Sequence, residues 1–134
     1  MHGKIVIAED DKVTRQTLER VLAHNSFYVY GAPDGLAALE LVRQEKPDIL
    51  ICDVVLPKLD GLQLCQRVKE DPNLNETKII MMTAVYKGAA FGSLTRDCRA
   101  DDYLDKPIDL TSLLEKIFRL CGEVPPPGKI KNPE

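Results

Sequence analysis

Residues 48–61 read DILICDVVLPKLDG and follow Pro47. The run 48–52 (DILIC) is strand-length and almost wholly apolar, as a strand covered on both faces should be. Asp53 is the residue that follows it. Four other runs are about strand length, 4–8 (KIVIA), 27–30 (FYVY), 78–82 (KIIMM) and 102–104 (DYL), and three of the five are almost wholly apolar. Between them the apolar spacing turns helical. Val13, Thr17 and Val21, with Leu18 and Leu22, make one stripe. Leu36, Leu39 and Val42, with Ala38 and Leu41, make a second. Leu62, Cys65 and Val68, with Leu64, make a third. Leu110, Leu113, Leu114, Ile117, Phe118 and Cys121 make the last. A fourth segment, around 89–98, is weaker: Gly88 and Gly92 lower its propensity, and only Phe91, Leu94 and Cys98 mark its face.

The punctuation agrees. Asp109 is placed to cap the last helix, with Ile108 and Leu113 as a hydrophobic staple. Gly122 stands where a C-terminal capping glycine belongs. Pro47 and Pro72 close the second and third helices. Strand and helix thus alternate five times, which predicts an α/β fold, (βα)5, with a parallel sheet and helices on both faces. Right-handed crossovers make that sheet doubly wound. Residues 1–122 are expected to form one domain. Residues 123–134 (EVPPPGKIKNPE) carry three consecutive prolines, which favour an extended tail or linker.

Composition narrows the function. The 134 residues are 44% hydrophobic and 29% charged, an ordinary globular balance. A formal charge of −3 disfavours direct nucleic-acid binding. No apolar stretch approaches the roughly 18 residues a membrane helix needs, and the N-terminus lacks a signal-peptide pattern, so a cytoplasmic protein is expected. Cys52, Cys65, Cys98 and Cys121 form no C-x-x-C pair, and His2 and His24 are the only histidines. Reduced cysteines acting as small hydrophobes fit better than a zinc site or a disulfide framework.

In an open α/β sheet, ligands bind beyond the carboxyl ends of the strands. There the first strand gives Glu9-Asp10-Asp11, the third Asp53, the fourth Thr83 and the fifth Asp105-Lys106-Pro107. The second gives Gly31-Ala32, with no such group, which suits a sheet edge. Like charges brought to 4 Å repel by about 4 kcal/mol at an effective dielectric of 20. Lys106 and a hard divalent cation would offset this. A carboxylate so placed can attack phosphorus and form an aspartyl phosphate, and phosphoryl transfer needs mainly positioning and charge stabilisation.

Four fragments in order, KIVIAEDD, ILICDVVLPKLDG, KIIMMTA and ADDYLDKP, resemble the response-regulator receiver domains of two-component signalling, of chemotaxis-regulator type. The resemblance runs from about Lys4 to Cys121. It implies a flavodoxin-like sheet of order 2-1-3-4-5. It implies that Asp53 is the phosphoacceptor and also a magnesium ligand. Asp10 would ligate the metal directly, Glu9 largely through water, and Val55 through its backbone carbonyl; Mn2+ would substitute for Mg2+. Thr83 would hydrogen-bond the phosphoryl group and Lys106 would pair with it, with Pro107 as a cis proline. Thr83 and Tyr103 would form the switch, and the small Ala84 would leave access for a donor. The implied partners are a histidine kinase or histidine phosphotransfer protein, and an effector on the face of the fourth helix, fifth strand and fifth helix. The chain would be a monomer or a phosphorylation-dependent dimer.

Each residue has a plainer reading. Asp11 suits a helix cap, Tyr103 sheet-edge packing, and His24 a helix end. Two features depart from the family pattern: Arg99-Ala100 stands where Gly-Ala is usual, and the 85–97 segment is unusual. Three other functions remain open. An aspartyl phosphohydrolase resembling the haloacid-dehalogenase group wants an acid two residues after its nucleophile, where Val55 stands. A receiver-like module that takes no phosphate would lack one of the acids or the lysine. A nucleotide-binding flavodoxin-like protein would carry a Gly-rich loop after the first strand.

Overall fold

The computed structural model describes residues 3–83 and 99–122. The helical segment expected around 89–98, the small residue Ala84 and the 123–134 tail lie outside the described residues. The elements are β1 (Lys4–Ala8), α1 (Lys12–His24), β2 (Tyr28–Ala32), α2 (Gly35–Glu45), β3 (Ile49–Asp53), α3 (Gly61–Glu70), β4 (Lys78–Thr83), β5 (Asp102–Asp105) and α4 (Leu110–Leu120). The five strands are parallel and ordered β2-β1-β3-β4-β5.

Alternate residues of the central strands supply two separate cores. Val6, Ala8, Leu50, Cys52, Ile79 and Met81 face α2 and α3, where Ala38, Leu39, Val42, Leu64, Cys65 and Val68 meet them. Ile5, Ile7, Ile49, Ile51, Ile80 and Met82 face α1 and α4, where Leu18, Val21, Leu22, Leu113, Leu114, Ile117 and Phe118 meet them. Burial on both sides explains why β1, β3 and β4 read as continuous apolar runs.

Each described helix begins at an aspartate whose carboxylate accepts from a backbone N–H in the first turn: Asp11 from Thr14, Asp34 from Ala37, Asp60 from Gln63, Asp109 from Thr111. Asp60 and Gln63 form a reciprocal capping box. Ile108 and Leu113 share one core, as the staple requires. Gly122 has φ +73, the left-handed conformation expected just past α4. Asp71, before Pro72, is extended and ends α3.

Three expectations are corrected. β2 spans Tyr28–Ala32 and not 27–30. Phe27 belongs instead to the α1/α4 core, its ring 5.6 Å from that of Phe118, while Gly31 and Ala32 pair with Ile7 and Ala8. β3, β4 and β5 each run one residue further, to Asp53, Thr83 and Asp105. Val13 and Leu36 are not core: they are 73% and 49% exposed. Val13 lies five positions before Leu18, about 140° round the helix from it. Arg99 has φ +58, so an arginine takes the left-handed conformation that glycine adopts more readily. The chain is pinned two residues later, where Asp101 N–H donates to Ile79 O at 2.8 Å and its carboxylate accepts from Ile79 N–H at 2.8 Å.

Candidate functional site

The carboxyl ends of β1, β3, β4 and β5 form one rim. Glu9 and Asp10 leave β1 just before Asp11 caps α1. Glu9 is fixed by its own backbone, N–H donating to Ala32 O at 3.0 Å. Asp53 is the last residue of β3 and is 7% exposed. Its neighbour Val54 ties the strand end to β4 through N–H to Met82 O at 3.1 Å, and Val55 N–H donates to Asp53 Oδ1 at 3.2 Å. Close packing of α3 continues this anchorage. A Cβ on Gly61 would fall 2.0 Å from Asp53 O, so only glycine lets α3 start there. The loop is further held by Gly35 N–H to Pro57 O at 3.2 Å, and by an ion pair of Lys58 with Asp34 at 3.5 Å.

One carboxylate oxygen each from Glu9, Asp10 and Asp53 lies within 4.8 Å of the others. At that separation each pair of charges repels by about 3.5 kcal/mol at an effective dielectric of 20. Lys106 stands between two of them, Nζ at 2.5 Å from Asp53 Oδ2 and 2.6 Å from Glu9 Oε1. It is placed by N–H to Thr83 O at 2.7 Å, and the Lys106–Pro107 peptide is cis. Glu9 is wholly buried. Burial, aided by the charge of Asp53, raises its pKa above the ordinary value, although hydrogen bonds from Lys106 and Asp11 N–H oppose the shift. Burial pulls Lys106 down, but its hydrogen bonds to Asp53 and Glu9 prevail and its pKa is raised. The lysine is a firmly held cation.

The donor set consists of hard carboxylate oxygens in excess of local positive charge, with Asp10 exposed to approach from solvent. It fits Mg2+, which takes oxygen ligands and keeps several waters.

The expected rim residues do not all touch. Thr83 ends β4 and is 2% exposed, but its hydroxyl donates to Asp105 Oδ1 at 3.2 Å. Tyr103 is partly buried against the α2/α3 core, opposite Met81 in the neighbouring strand. The Asp11 carboxylate acts as a cap, and its pKa is lowered by the Thr14 hydroxyl and N–H; toward the rim only its backbone N–H acts, donating to Glu9 Oε2 at 3.1 Å. Two participants were not foreseen. Asp105 was seen only as part of the Asp-Lys-Pro signal, and its partnership with Thr83 depends on side-chain direction. Arg15 is the other: its Nη1 donates to Glu9 O at 2.8 Å. The only signal for it was the Arg15/Glu19 i, i+4 charge pair.

Residues 5–118 match the family model described as the response regulator receiver domain. The chain belongs to the response regulator receiver domain family. This receiver domain is 36% identical over 123 residues to the response regulator MprA of Mycobacterium leprae, covering 92% of this chain and 53% of that protein. The chain thus spans about half the length of the curated relatives it matches. Among solved structures it is similar to the signal receiver domain of a signal transduction histidine kinase from Syntrophus aciditrophicus, with TM-score 0.83 and 26% identity over 96% of this chain and 97% of that one. It is likewise similar to the receiver domain of the Francisella response regulator 1452, with TM-score 0.80 and 26% identity over 90% and 97% of the two chains. The receiver therefore has a flavodoxin-like α/β fold and is a module of two-component signalling. Among the described residues, no helix is long and apolar enough to cross a membrane.

Proposed function

We propose that this receiver is a phosphorylation switch in which Asp53 accepts a phosphoryl group from the phosphohistidine of a sensor kinase or phosphotransfer protein. The reading is carried by one observation: a buried carboxylate, Asp53, bonded to Lys106 and grouped with two further acids at the open end of the sheet. An Asp53 carboxylate oxygen attacks phosphorus and forms the new P–O bond. The P–N bond to the donor imidazole breaks, and that nitrogen keeps the electron pair. The product is an aspartyl phosphate, a mixed anhydride.

Glu9, Asp10, Asp53 and the carbonyl of Val55 would hold Mg2+, or Mn2+ in its place. The ion supplies charge neutralisation to the transferring phosphoryl oxygens. Lys106 supplies a second positive charge from just beyond β5 and needs little movement to pair with a phosphoryl oxygen. Val55 N–H already points at Asp53. No residue two positions beyond Asp53 can act as general acid, since Val55 stands there, which favours storage of the anhydride over turnover of phosphate esters.

The output begins at Thr83. Its hydroxyl donates to Asp105 in the present arrangement. A phosphoryl oxygen on Asp53 competes for that hydroxyl, and the exchange frees β5 from one of its ties to β4. Tyr103, on the same strand, then changes its packing. The face made by β5 and α4 changes affinity for an effector. This is a shift between two populations, not a new fold. The receiver unit comprises residues 1–122, with 123–134 as a tail. The setting is cytoplasmic, and the molecule is a monomer or a phosphorylation-dependent dimer that contacts no nucleic acid itself.

Incubation with Mg2+ and a small phosphodonor such as acetyl phosphate tests the reading by intact mass. One phosphoryl adduct, stable in acid, labile in base, not formed when the metal is chelated beforehand and absent from Asp53→Ala, is the expected result. Protein that stays unmodified, or an adduct retained by Asp53→Ala, refutes it.

A further inference from the structure

We infer that Arg15 is a positioning residue for the acidic cluster, a role that rests on the magnesium-dependent reading above. Arg15 lies on the first turns of α1, where a charged side chain ordinarily extends into water. Here its side chain is only 17% exposed and turns back toward the sheet. Nη1 donates to the backbone carbonyl of Glu9 at 2.8 Å. That carbonyl belongs to the residue whose N–H is already fixed on Ala32 O at 3.0 Å. Glu9 is thus held on both sides of its Cα, once by β2 and once by α1. The second hold lies at the junction with Asp10.

The guanidinium is itself braced. Arg15 Nε is 3.9 Å from Glu19 Oε1, one helical turn further on. Glu19 in turn lies over Gly31 of β2, where a Cβ would come within 2.9 Å of its carboxylate. The missing side chain at Gly31 gives Glu19 its place. A physical line therefore runs from the edge strand through Glu19 and Arg15 to the peptide between Glu9 and Asp10. Arg15 touches no side-chain oxygen of the cluster. It acts on where the main chain presents those oxygens.

This role has a sign that simple electrostatics does not share. Arg15 is a cation near a cluster expected to bind a cation, so deleting its charge should by itself tighten Mg2+ binding. Loss of positioning should weaken it. Removing a group that orients a metal ligand costs at least about tenfold in metal affinity. Arg15→Met keeps most of the buried stem and removes the donor. The expected result is an Mg2+ dissociation constant raised about tenfold, measured by NMR titration, with partial recovery in Arg15→Lys, whose ammonium can reach one acceptor but not brace two. Glu19→Gln, which keeps the shape of the brace and weakens its charge, should shift the constant in the same direction by a smaller factor. Thermal unfolding is followed in parallel.

An unchanged or tighter constant in Arg15→Met, or a fall in thermal midpoint with no change in affinity, overturns the inference. If Arg15→Met does not fold, Glu19→Gln with wild-type affinity overturns it. Wild-type protein that binds no Mg2+ fails at an earlier point: it refutes the reading of the site itself, independently of any Arg15 variant.

Discussion

Lys106→Met removes the cation that bridges Glu9 and Asp53 and leaves two buried carboxylates facing each other. Their oxygens lie within 4.8 Å. The repulsion released at that distance is about 3.5 kcal/mol at an effective dielectric of 20. It is not offset by solvent, because the side chains of Glu9 and Asp53 are 1% and 10% exposed. Breaking a buried ion pair from one side costs about 3–5 kcal/mol, and proton uptake by Glu9, whose pKa is already raised, relieves part of it. The expected loss in a metal-free buffer is about 3 kcal/mol. Mg2+ should restore much of that loss, because the vacated space is acidic and the ion no longer competes with an ammonium. A ligand at a hundred times its dissociation constant stabilises by about 2.7 kcal/mol. Urea unfolding followed by circular dichroism, with chelator and with saturating Mg2+, gives both quantities. Two results refute the reasoning: a variant as stable as wild type in chelator, or a variant that gains no more from Mg2+ than wild type does.

Other outcomes follow from the same geometry. Glu9→Gln should raise the thermal midpoint at neutral pH while weakening Mg2+ binding. A carboxyl whose folded pKa is raised favours the folded state when protonated, below its unfolded value, and loses that contribution as pH rises through the folded value; a neutral isostere keeps it. A lower midpoint at pH 7 would contradict this. Asp105→Ala removes the acceptor that engages the Thr83 hydroxyl, so phosphorylation by a small donor should become faster, and a stopped-flow rate at or below wild type would argue against the exchange. Val55→Asn places a polar group on the 59% exposed position beside Asp53, where it can orient water, and should shorten the half-life of the phosphorylated form several-fold; an unchanged half-life counts against it. Gly61→Ala forces a Cβ to within 2.0 Å of Asp53 O, which must displace α3 or the strand end, and denaturant unfolding should show a loss of about 3 kcal/mol.

The central strands were legible because burial on both faces leaves no choice of residue: 4–8, 48–52 and 78–82 are apolar for the same reason they are strands. β2 was less so. In 27–30 the chain shows apolar character from two sources, a ladder and a core aromatic, and Phe27 serves only the second. Gly31 and Ala32 have little strand propensity, and the ladder with Ile7 and Ala8 overrides it. Val13 and Leu36 sit in first turns, where a stripe read by spacing extends beyond the contact that buries it. The acids and Lys106 were legible because each follows a strand, and the switch-point rule collects strand ends. What those ends do to one another depends on rotamers. Nothing in the chain's order says that Thr83 bonds Asp105 and not Asp53, or that Arg15 bends back to a carbonyl six residues before it.

The central claim is that Asp53, among the acids at this rim, is the one that takes phosphorus. Phosphorylated protein treated with borohydride and digested reports the position directly, since reduction of an acyl phosphate converts its aspartate to homoserine. The account predicts homoserine at position 53 alone. Homoserine at 10, 11 or 105 with an intact Asp53, or none anywhere after exposure to Mg2+ and phosphodonor, would contradict it.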